Sequence, residues 1–319
     1  MPAIAVVGNI NADLKTSVLH ASPALFADGE TSVPEIYETI GGGGANIAVA
    51  AALLGARVHF CGCVGEDRLG NDLAQCLRRH GVTPHLCRRG SSTGRSINLT
   101  WDNRHRHFLS SLPNNRLLTA ADVDIPALAL AGCRHLFRAD VWFSTELLDG
   151  GNSRLFAQAR ALGIETSLDV NWDPEWTRDP NSPLSISHKE QLRRALPHVS
   201  WVHGNERELT IFSGADDLPR TCRLLIEQGA GGVIVHRGER GAAAFLPDQG
   251  WIEQPACPVA SIVCESGSGD VFSAAFMHFA ALPMPARLAR CCEIASRYLE
   301  GALKLIPRLE AGSPSTSST

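Results

Sequence analysis

The chain has 319 residues and a mass of 34.2 kDa, enough for one large domain or two modest ones with a full hydrophobic core. Hydrophobic residues make up 44% of it and charged residues 19%, which excludes a chain that is disordered throughout. With 29 basic and 33 acidic residues the net charge is −4, which argues against a nucleic-acid or membrane-surface partner, because such proteins need a positively charged face.

Neither the cysteines nor the apolar segments indicate an exported or membrane protein. The ten cysteines follow no zinc-binding or redox spacing, so we expect them to be reduced and mostly buried. The N-terminus lacks a basic leader, and the apolar run at residues 47–54 is far shorter than the ~20 residues of a membrane helix. The sequence therefore predicts a cytoplasmic protein without a membrane partner.

The first half of the chain predicts strands around one glycine-led helix. Residues 3–7 are short, apolar and followed by glycine, as in a buried strand. Four glycines at 41–44 precede apolar residues that repeat at i, i+3, i+4 and i+7, which predicts an amphipathic helix ending near Gly55. A strand is expected at 58–64, and alternation of apolar and polar residues predicts further strands within 93–110.

The second half, from about residue 128, alternates helices with strands. Predicted strands lie at 166–170, 199–203, 232–236 and 242–246. Strands that alternate with helices predict an α/β fold with a parallel, doubly wound sheet. The last residues, 312–319, are rich in Ser, Thr and Pro and are expected to be disordered.

The strongest chemical motif is Gly267-Ser268-Gly269-Asp270, which leads into a segment with helical apolar spacing. Such a turn presents free N–H groups and the positive end of the helix dipole, and glycine lets a phosphate approach the backbone closely. A carboxylate at the same point suits a base that takes the proton of a hydroxyl attacking that phosphate. The alternative is a glycine-rich turn in which Asp270 stabilises only its own helix.

A second candidate site combines Asn11 and Asp13 with the glycine run that ends at Asn46. Two residues apart at a strand end, Asn11 and Asp13 can point the same way, and their donors and acceptors suit the hydroxyls of a polyol. The alternative is a loop of Asx turns before a glycine-rich helix start. No GxxxxGK[ST] sequence occurs and the first strand lacks a GxGxxG pattern, which disfavours a P-loop enzyme and an NAD-dependent dehydrogenase.

Together these segments resemble the ribokinase-like (PfkB) family of carbohydrate kinases over residues 4–307. Residues 7–13 are similar to the start of the family, residues 41–46 with 64–70 to its first signature, and residues 267–270 to its second. The resemblance implies a three-layer α/β/α kinase domain, which we place at residues 1–311. A small β lid is expected from about 14–40 and 93–110.

The family's functional residues are carried over motif by motif. The resemblance implies Asp270 as the catalytic base and the amides of Gly267, Ser268 and Gly269 as the anion hole. It implies sugar contacts for Asn11, Asp13, Gly42, Gly43 and Asn46. Among the basic residues of the lid, Arg95 is the best candidate for a substrate contact. Asn205 and Glu208 would lie near magnesium and phosphates, with Glu208 on the metal, and Arg237, Gly238 and Gly241 would form the nucleotide-binding turn.

Departures from the family pattern limit what the resemblance implies. Cys264, Glu265 and Ser266 stand where many members have Asp-Thr-Thr, which helps to hold potassium, and Leu305 replaces an often polar residue. Cysteine is a poor ligand for a hard cation, which argues against activation by a monovalent cation. Gly43 stands where ribokinases commonly have Lys, which weakens the case for ribose as the substrate.

The sequence as a whole predicts a kinase that uses ATP and Mg²⁺ to phosphorylate a hydroxyl of a sugar or sugar-like molecule. Its small-molecule partners would be the sugar and ATP, and the resemblance implies a homodimer formed through the lid. Two alternatives stay open. One is a nucleoside kinase on the same scaffold, and the other is a sugar-binding regulator that has lost turnover.

Overall fold

The computed structural model of the chain describes residues 3–22, 25, 27–102, 105–263 and 266–309. Two sequence-based expectations fall outside these ranges. They concern Cys264 and Glu265 of the cation-binding stretch and the tail at 312–319, which all lie outside the described residues.

Strands and helices alternate through most of the described chain. The strands are β1 Ala3–Val7, β2 Asn11–Thr16, β3 Ile36–Gly41, β4 Arg57–Val64, β5 Val82–Arg88, β6 Arg95–Thr100, β7 Arg106–Ser111, β8 Cys133–Arg138, β9 Glu165–Asp169, β10 Trp201–Asn205, β11 Val233–His236, β12 Ala242–Leu246 and β13 Gly250–Gln254. The α-helices are α1 Gly43–Leu53, α2 Arg68–Arg79, α3 Ile125–Leu130, α4 Asn152–Ala161, α5 Pro183–Arg193, α6 Glu206–Ser213, α7 Leu218–Glu227, α8 Ser268–His278 and α9 Met284–Leu299.

In the described part of the chain the large sheet has nine strands in the order β13-β12-β11-β10-β9-β8-β1-β4-β5. Its strands from β11 to β5 run parallel, but β12 is antiparallel to both β11 and β13. The prediction of a parallel sheet is therefore wrong at one edge. Only residues 237–241 join β11 to β12, which is too short for a crossover helix and long enough for a hairpin.

Two hydrophobic cores cover the two faces of the large sheet. Helices α1, α2, α8 and α9 pack on the face that carries Ile4 and Val6 of β1. Helices α3 to α7 pack on the opposite face, which carries Ala5 and Val7, because successive side chains of a strand point to opposite sides. The predicted three-layer α/β/α arrangement is confirmed.

The small sheet consists of β3, β2, β6 and β7 in that order. Asp13 of β2 pairs with Thr39 of β3 and Ser96 of β6. Residues that lie directly opposite one another share a face, so the side chains of Asn11, Asp13 and the other odd-numbered residues of β2 lie on one side. We call this side the inner face and the opposite side, which carries Ala12 and Leu14, the outer face.

The remaining sequence expectations concern the cysteines and membrane spans. No disulfide joins the nine described cysteines, and all of them except Cys87 and Cys257 are buried. Among the described residues, no helix combines the length and the apolar character that crossing a membrane requires.

Candidate active site

The predicted anion site is the start of α8. Gly267, directly before this helix, has a φ of 88°, and a Cβ there would collide with Cδ1 of Ile306. Glycine adopts this left-handed conformation without the strain that other residues incur. No side chain caps the helix within the described residues. N–H groups at a helix start of this kind can bind an anionic ligand.

Asp270 lies in the first turn of α8 and faces residues of several other elements. Asn46 Nδ2 of α1 donates a hydrogen bond to Asp270 Oδ2 at 2.9 Å. Burial raises the pKa of Asp270 to about 7; the hydrogen bond from Asn46 and the charge of Lys15 oppose this rise, and the charges of Asp140 and Asp13 add to it. A carboxylate with a pKa near neutral is suited to accept a proton at neutral pH.

The start of α1 is also made of backbone amides, but a side chain occupies it. Gly42 has a φ of 89°, and a Cβ there would collide with the carbonyl oxygen of Asn9. The carboxylate of Asp140, beyond the end of β8, accepts from three backbone N–H groups, those of Asn9 at 2.9 Å, Gly43 at 3.1 Å and Gly44 at 2.8 Å. Asp140 therefore fixes the glycine run against the end of β1.

The backbone around Asp140 is strained. Asp140 and Asn171 have φ values of 55° and 50°, and they are the non-glycine residues with positive φ in the part of the chain described. They contact each other, because Asp140 N donates to Asn171 Oδ1 at 2.7 Å. Conformations of this kind persist where the surrounding structure demands them and are concentrated at functional sites.

Asn11 and Asp13 lie together on the inner face of the small sheet. Asn11 Nδ2 donates to Asp13 Oδ1 at 2.7 Å and to Ser96 Oγ at 3.4 Å. Burial raises the pKa of Asp13 to about 6, and Lys15 and Asn11 oppose this rise. Because Asp13 in turn raises the pKa of Asp270, the inner face and the start of α8 border the same space.

Asn205 and Glu208 form a reciprocal cap at the start of α6. Glu208 N donates to Asn205 Oδ1 and Asn205 N donates to Glu208 Oε2, both at 2.9 Å. The pairing stabilises the helix start by itself. The charge of Glu208 also reaches Asp169 at the end of β9, where burial, Glu208 and Asp270 raise the pKa well above its usual value. Two carboxylates that repel each other suit a bound cation.

The predicted nucleotide-binding turn at 237–241 joins β11 to β12. Gly238 and Gly241 have positive φ values of 56° and 89°, and Arg237 N donates to Gly241 O at 2.9 Å. The guanidinium of Arg237 donates to Glu206 at 3.0 Å and to Glu253 at 2.6 Å. These bonds hold the turn against α6 and β13.

The chain matches one known protein family over most of its length. The sequence model of the family described as "pfkB family carbohydrate kinase" matches residues 1–298. The chain belongs to the pfkB family. It is therefore a phosphotransferase whose acceptor is an alcohol group, as the sequence predicts.

Relatives and solved structures agree with this placement in the pfkB family. The chain is 26% identical over 293 residues to the ribokinase of Arabidopsis thaliana, covering 86% of this chain and 69% of that one. It is 27% identical over 300 residues to the fructokinase of Klebsiella pneumoniae, covering 89% and 92%. An E. coli structure in complex with ATP and Mg²⁺ superposes with a TM-score of 0.74 at 21% identity, covering 94% and 92%.

The structure brings most of the predicted residues of this pfkB chain together, but not Arg95. Asn11, Asp13, the glycine run, Asn46 and residues 267–270 converge between the small sheet and α8. Arg95 pairs with Ala12 and Ser111 on the outer face, so its side chain starts on the side away from Asp13. The geometry of a single chain therefore does not support Arg95 as a substrate contact.

Sequence reasoning missed Asp140, which fixes the start of α1. An acidic residue directly after a predicted strand was the available signal, because open α/β sheets place ligands at that edge. Glu146, another acidic residue beyond β8, accepts from Ala120 N at 2.8 Å and pairs with Arg154.

Proposed function

We propose that this pfkB kinase transfers the γ-phosphoryl group of ATP to a hydroxyl of a neutral sugar, with Asp270 as the general base. The contact of Asn46 with Asp270 at the uncapped start of α8 carries the proposal. This contact places a carboxylate with a near-neutral pKa, that of Asp270, at a helix start that can bind a phosphoryl group. A hydroxyl bound there would have both a base and an anion site within reach.

In the proposed reaction Asp270 accepts the proton of the attacking hydroxyl. The amides of Gly267, Ser268 and Gly269 stabilise the negative charge of the phosphoryl group, because they are fixed in place by the helix before the reaction starts. Asn46 holds the Asp270 carboxylate in position through its hydrogen bond.

The sugar would lie between the inner face of the small sheet and the start of α1. Asn11 and Asp13 offer a donor and acceptors for neighbouring hydroxyls, and Gly42 and Gly43 let the sugar approach the backbone. The carboxylates of Asp13, Asp140 and Asp270 lie within electrostatic range of one another here, which disfavours a sugar that carries a phosphate or carboxylate of its own.

ATP and Mg²⁺ are proposed to bind on the side of α6 and the turn at 237–241. Glu208 and Asp169 would hold Mg²⁺, since a cation bound by both would relieve their repulsion and Mg²⁺ commonly takes one or two carboxylates together with phosphates. Mg²⁺ bound with ATP would neutralise charge on the phosphates. Asn205 shapes the start of α6, and the turn of Arg237, Gly238 and Gly241 would contact the nucleotide through its backbone.

We also propose a homodimer in which the outer faces of the two small sheets form the interface. Ile36, Ile97 and Leu109 are 60%, 39% and 53% exposed there. A second copy of the same face would cover them. Replacing Ile97 and Leu109 by Asp should yield a monomer in light scattering, whereas an unchanged mass would contradict this dimer.

The deciding experiment for the function is ADP formation with Mg²⁺ across free sugars, sugar phosphates, sugar acids and nucleosides. We expect turnover on a neutral sugar and a loss of roughly 10²–10⁴ in kcat for Asp270→Asn, because a positioned base contributes about that much. Turnover on nucleosides would favour the nucleoside kinase. ATP binding without turnover on any compound, or full activity of folded Asp270→Asn, would contradict the proposal.

A further inference from the structure

Lys15 is a buried lysine on the inner face of the small sheet. It is 8% exposed and lies opposite Tyr37 of β3 and Asn98 of β6. Because it follows Asp13 by two residues on β2, its side chain leaves the strand on the same side as the Asp13 carboxylate. Its ammonium group therefore enters the space between the small sheet and α8.

Two observations place this ammonium group near the start of α8. Asn98, its neighbour in register, donates from Nδ2 to Ser266 Oγ at 3.4 Å, and Ser266 directly precedes Gly267. The charge of Lys15 also lowers the pKa of both Asp13 and Asp270. Lys15 is thus within electrostatic range of the carboxylate proposed to bind the sugar and of the proposed base.

The charge of Lys15 acts on Asp13 and Asp270 but is not balanced by an ion pair within the described residues. Within the described ranges, no carboxylate lies at ion-pair distance from its ammonium group. A buried charge costs stability unless it is paired, so a lysine kept here without a pair is expected to serve a ligand. The ligand that the neighbouring helix start favours is an anion.

The start of α1 contributes no positively charged side chain to the site. Gly43 stands where ribokinases commonly have Lys, and a Cβ at this position would lie 3.0 Å from Asp140 Oδ1. A side chain there would therefore require the Asp140 carboxylate, which fixes the glycine run, to shift by a few tenths of an ångström. Lys15 of β2 has a positive charge within electrostatic range of Asp13 and Asp270.

We propose that the ammonium group of Lys15 is a catalytic group that contacts the phosphoryl group while it moves from ATP to the sugar. The inference rests on the proposed function. In this step the sugar oxygen forms a bond to phosphorus, the bond from phosphorus to the β-phosphate oxygen breaks, and ADP leaves with that electron pair. Asp270 takes the hydroxyl proton, while Lys15 keeps its protons and stabilises the charge on the phosphoryl oxygens.

The test compares three single variants in steady-state kinetics with the sugar that the panel identifies. Lys15→Met removes the charge and keeps an unbranched side chain of similar length, Lys15→Arg keeps the charge, and Lys304→Met makes the same change at an exposed lysine. We expect kcat to fall roughly 10²–10³-fold in Lys15→Met, as for loss of one preorganised stabiliser of transition-state charge. Lys15→Arg should recover part of this loss, and Lys304→Met should match the wild type.

A second readout separates catalysis from packing. Asp270 faces Asp13 and Lys15 from β2, Asn46 from α1, Asp140 beyond β8 and Asp169 at the end of β9, and of these charged groups only Lys15 is positive. Removing it should move the acid limb of the kcat profile to higher pH, and Lys15→Arg should restore the limb.

Three results would overturn the inference. They are an unchanged kcat in folded Lys15→Met, equal losses in the Met and Arg variants with an unmoved acid limb, and an effect on the KM of the sugar alone. If Asp270→Asn is inactive while Lys15→Met is not, the inference fails and the proposed function stands. If the wild type phosphorylates none of the compounds, the proposed function fails and the inference fails with it.

Discussion

The starts of α1 and α8 are built alike and are used differently. Each begins at a glycine with positive φ, Gly42 at 89° and Gly267 at 88°, and neither glycine can cap its helix with a side chain. At α1 the carboxylate of Asp140 accepts from Gly43 and Gly44. At α8 no described side chain caps the amides, and the carboxylate of the first turn contacts Asn46 instead.

This difference shows that a glycine-rich helix start is not by itself a ligand site. The same backbone can bind a carboxylate of its own chain, in which case it anchors the fold, or leave its amides for an anionic ligand. Asn46 connects the two, because it belongs to the anchored helix and contacts Asp270 of the other. The start of α1, which Asp140 fixes, therefore positions the start of α8, where we place the phosphoryl transfer.

Of the variants that test this difference between α1 and α8, Gly267→Ala should have the largest effect. The methyl group would collide with Ile306 and force a left-handed residue to carry a Cβ, which displaces the first amides of α8. We expect kcat to fall by roughly 10²–10³-fold, the loss typical of one donor that stabilises a developing charge.

Gly55→Ala is the matched control for this variant. Gly55 has a φ of 97°, but a Cβ there meets no atom within 4 Å. It should lose about 1–2 kcal/mol of unfolding free energy and keep its kcat. Equal kcat values in the two variants would show that the start of α8 is not part of the reaction.

Asp140→Asn should mainly affect stability. The amide keeps one acceptor oxygen where the carboxylate has two, so at least one of the three bound N–H groups loses its partner. We expect the unfolding free energy to fall by about 1–3 kcal/mol in urea titrations, the cost of a buried polar group without a partner. A kcat loss as large as that of Gly267→Ala, without a change in stability, would contradict the anchoring role.

Arg95→Ala should have the smallest effect, because the side chain touches neither helix start. Arg95 is exposed on the outer face, where an alanine leaves the inner face unchanged. Both kcat and the KM of the sugar should stay within about twofold of the wild type, as for most surface substitutions. A KM that rises by about tenfold, or ~1.4 kcal/mol, would bring Arg95 back to the substrate.

The sequence predicts local features of this fold better than it predicts contacts between distant segments. The glycine turn before α8 and the alternation of strands with helices are local patterns, and both are present. Asp140 escapes such reasoning because it lies 97 residues from Gly43, and nothing local indicates that the two meet. The antiparallel edge was partly readable, since a turn of five residues between strands favours a hairpin.

Faces of strands are harder to predict than strands, because a shift by one residue reverses every side chain. Arg95 was expected near the sugar from its position in the chain, but its pairing with Ala12 places it on the outer face. Lys15 was overlooked, although its spacing of two from Asp13 places both on one side. The register in which the strands pair determines the face on which Arg95 and Lys15 lie, and this register cannot be read from the sequence.

The most direct test of Asp270 as the base is the pH profile of kcat for the sugar that gives turnover. Asp270 must be ionised to accept the proton, and its pKa is raised to about 7, so activity should be lost as the pH falls through that value. We predict that kcat falls about tenfold per pH unit below pH ~7. The lower end of a titration from pH 8 to pH 5 lies ~2 units below that pKa. A kcat that stays constant over this range would contradict the assignment of Asp270 as the base.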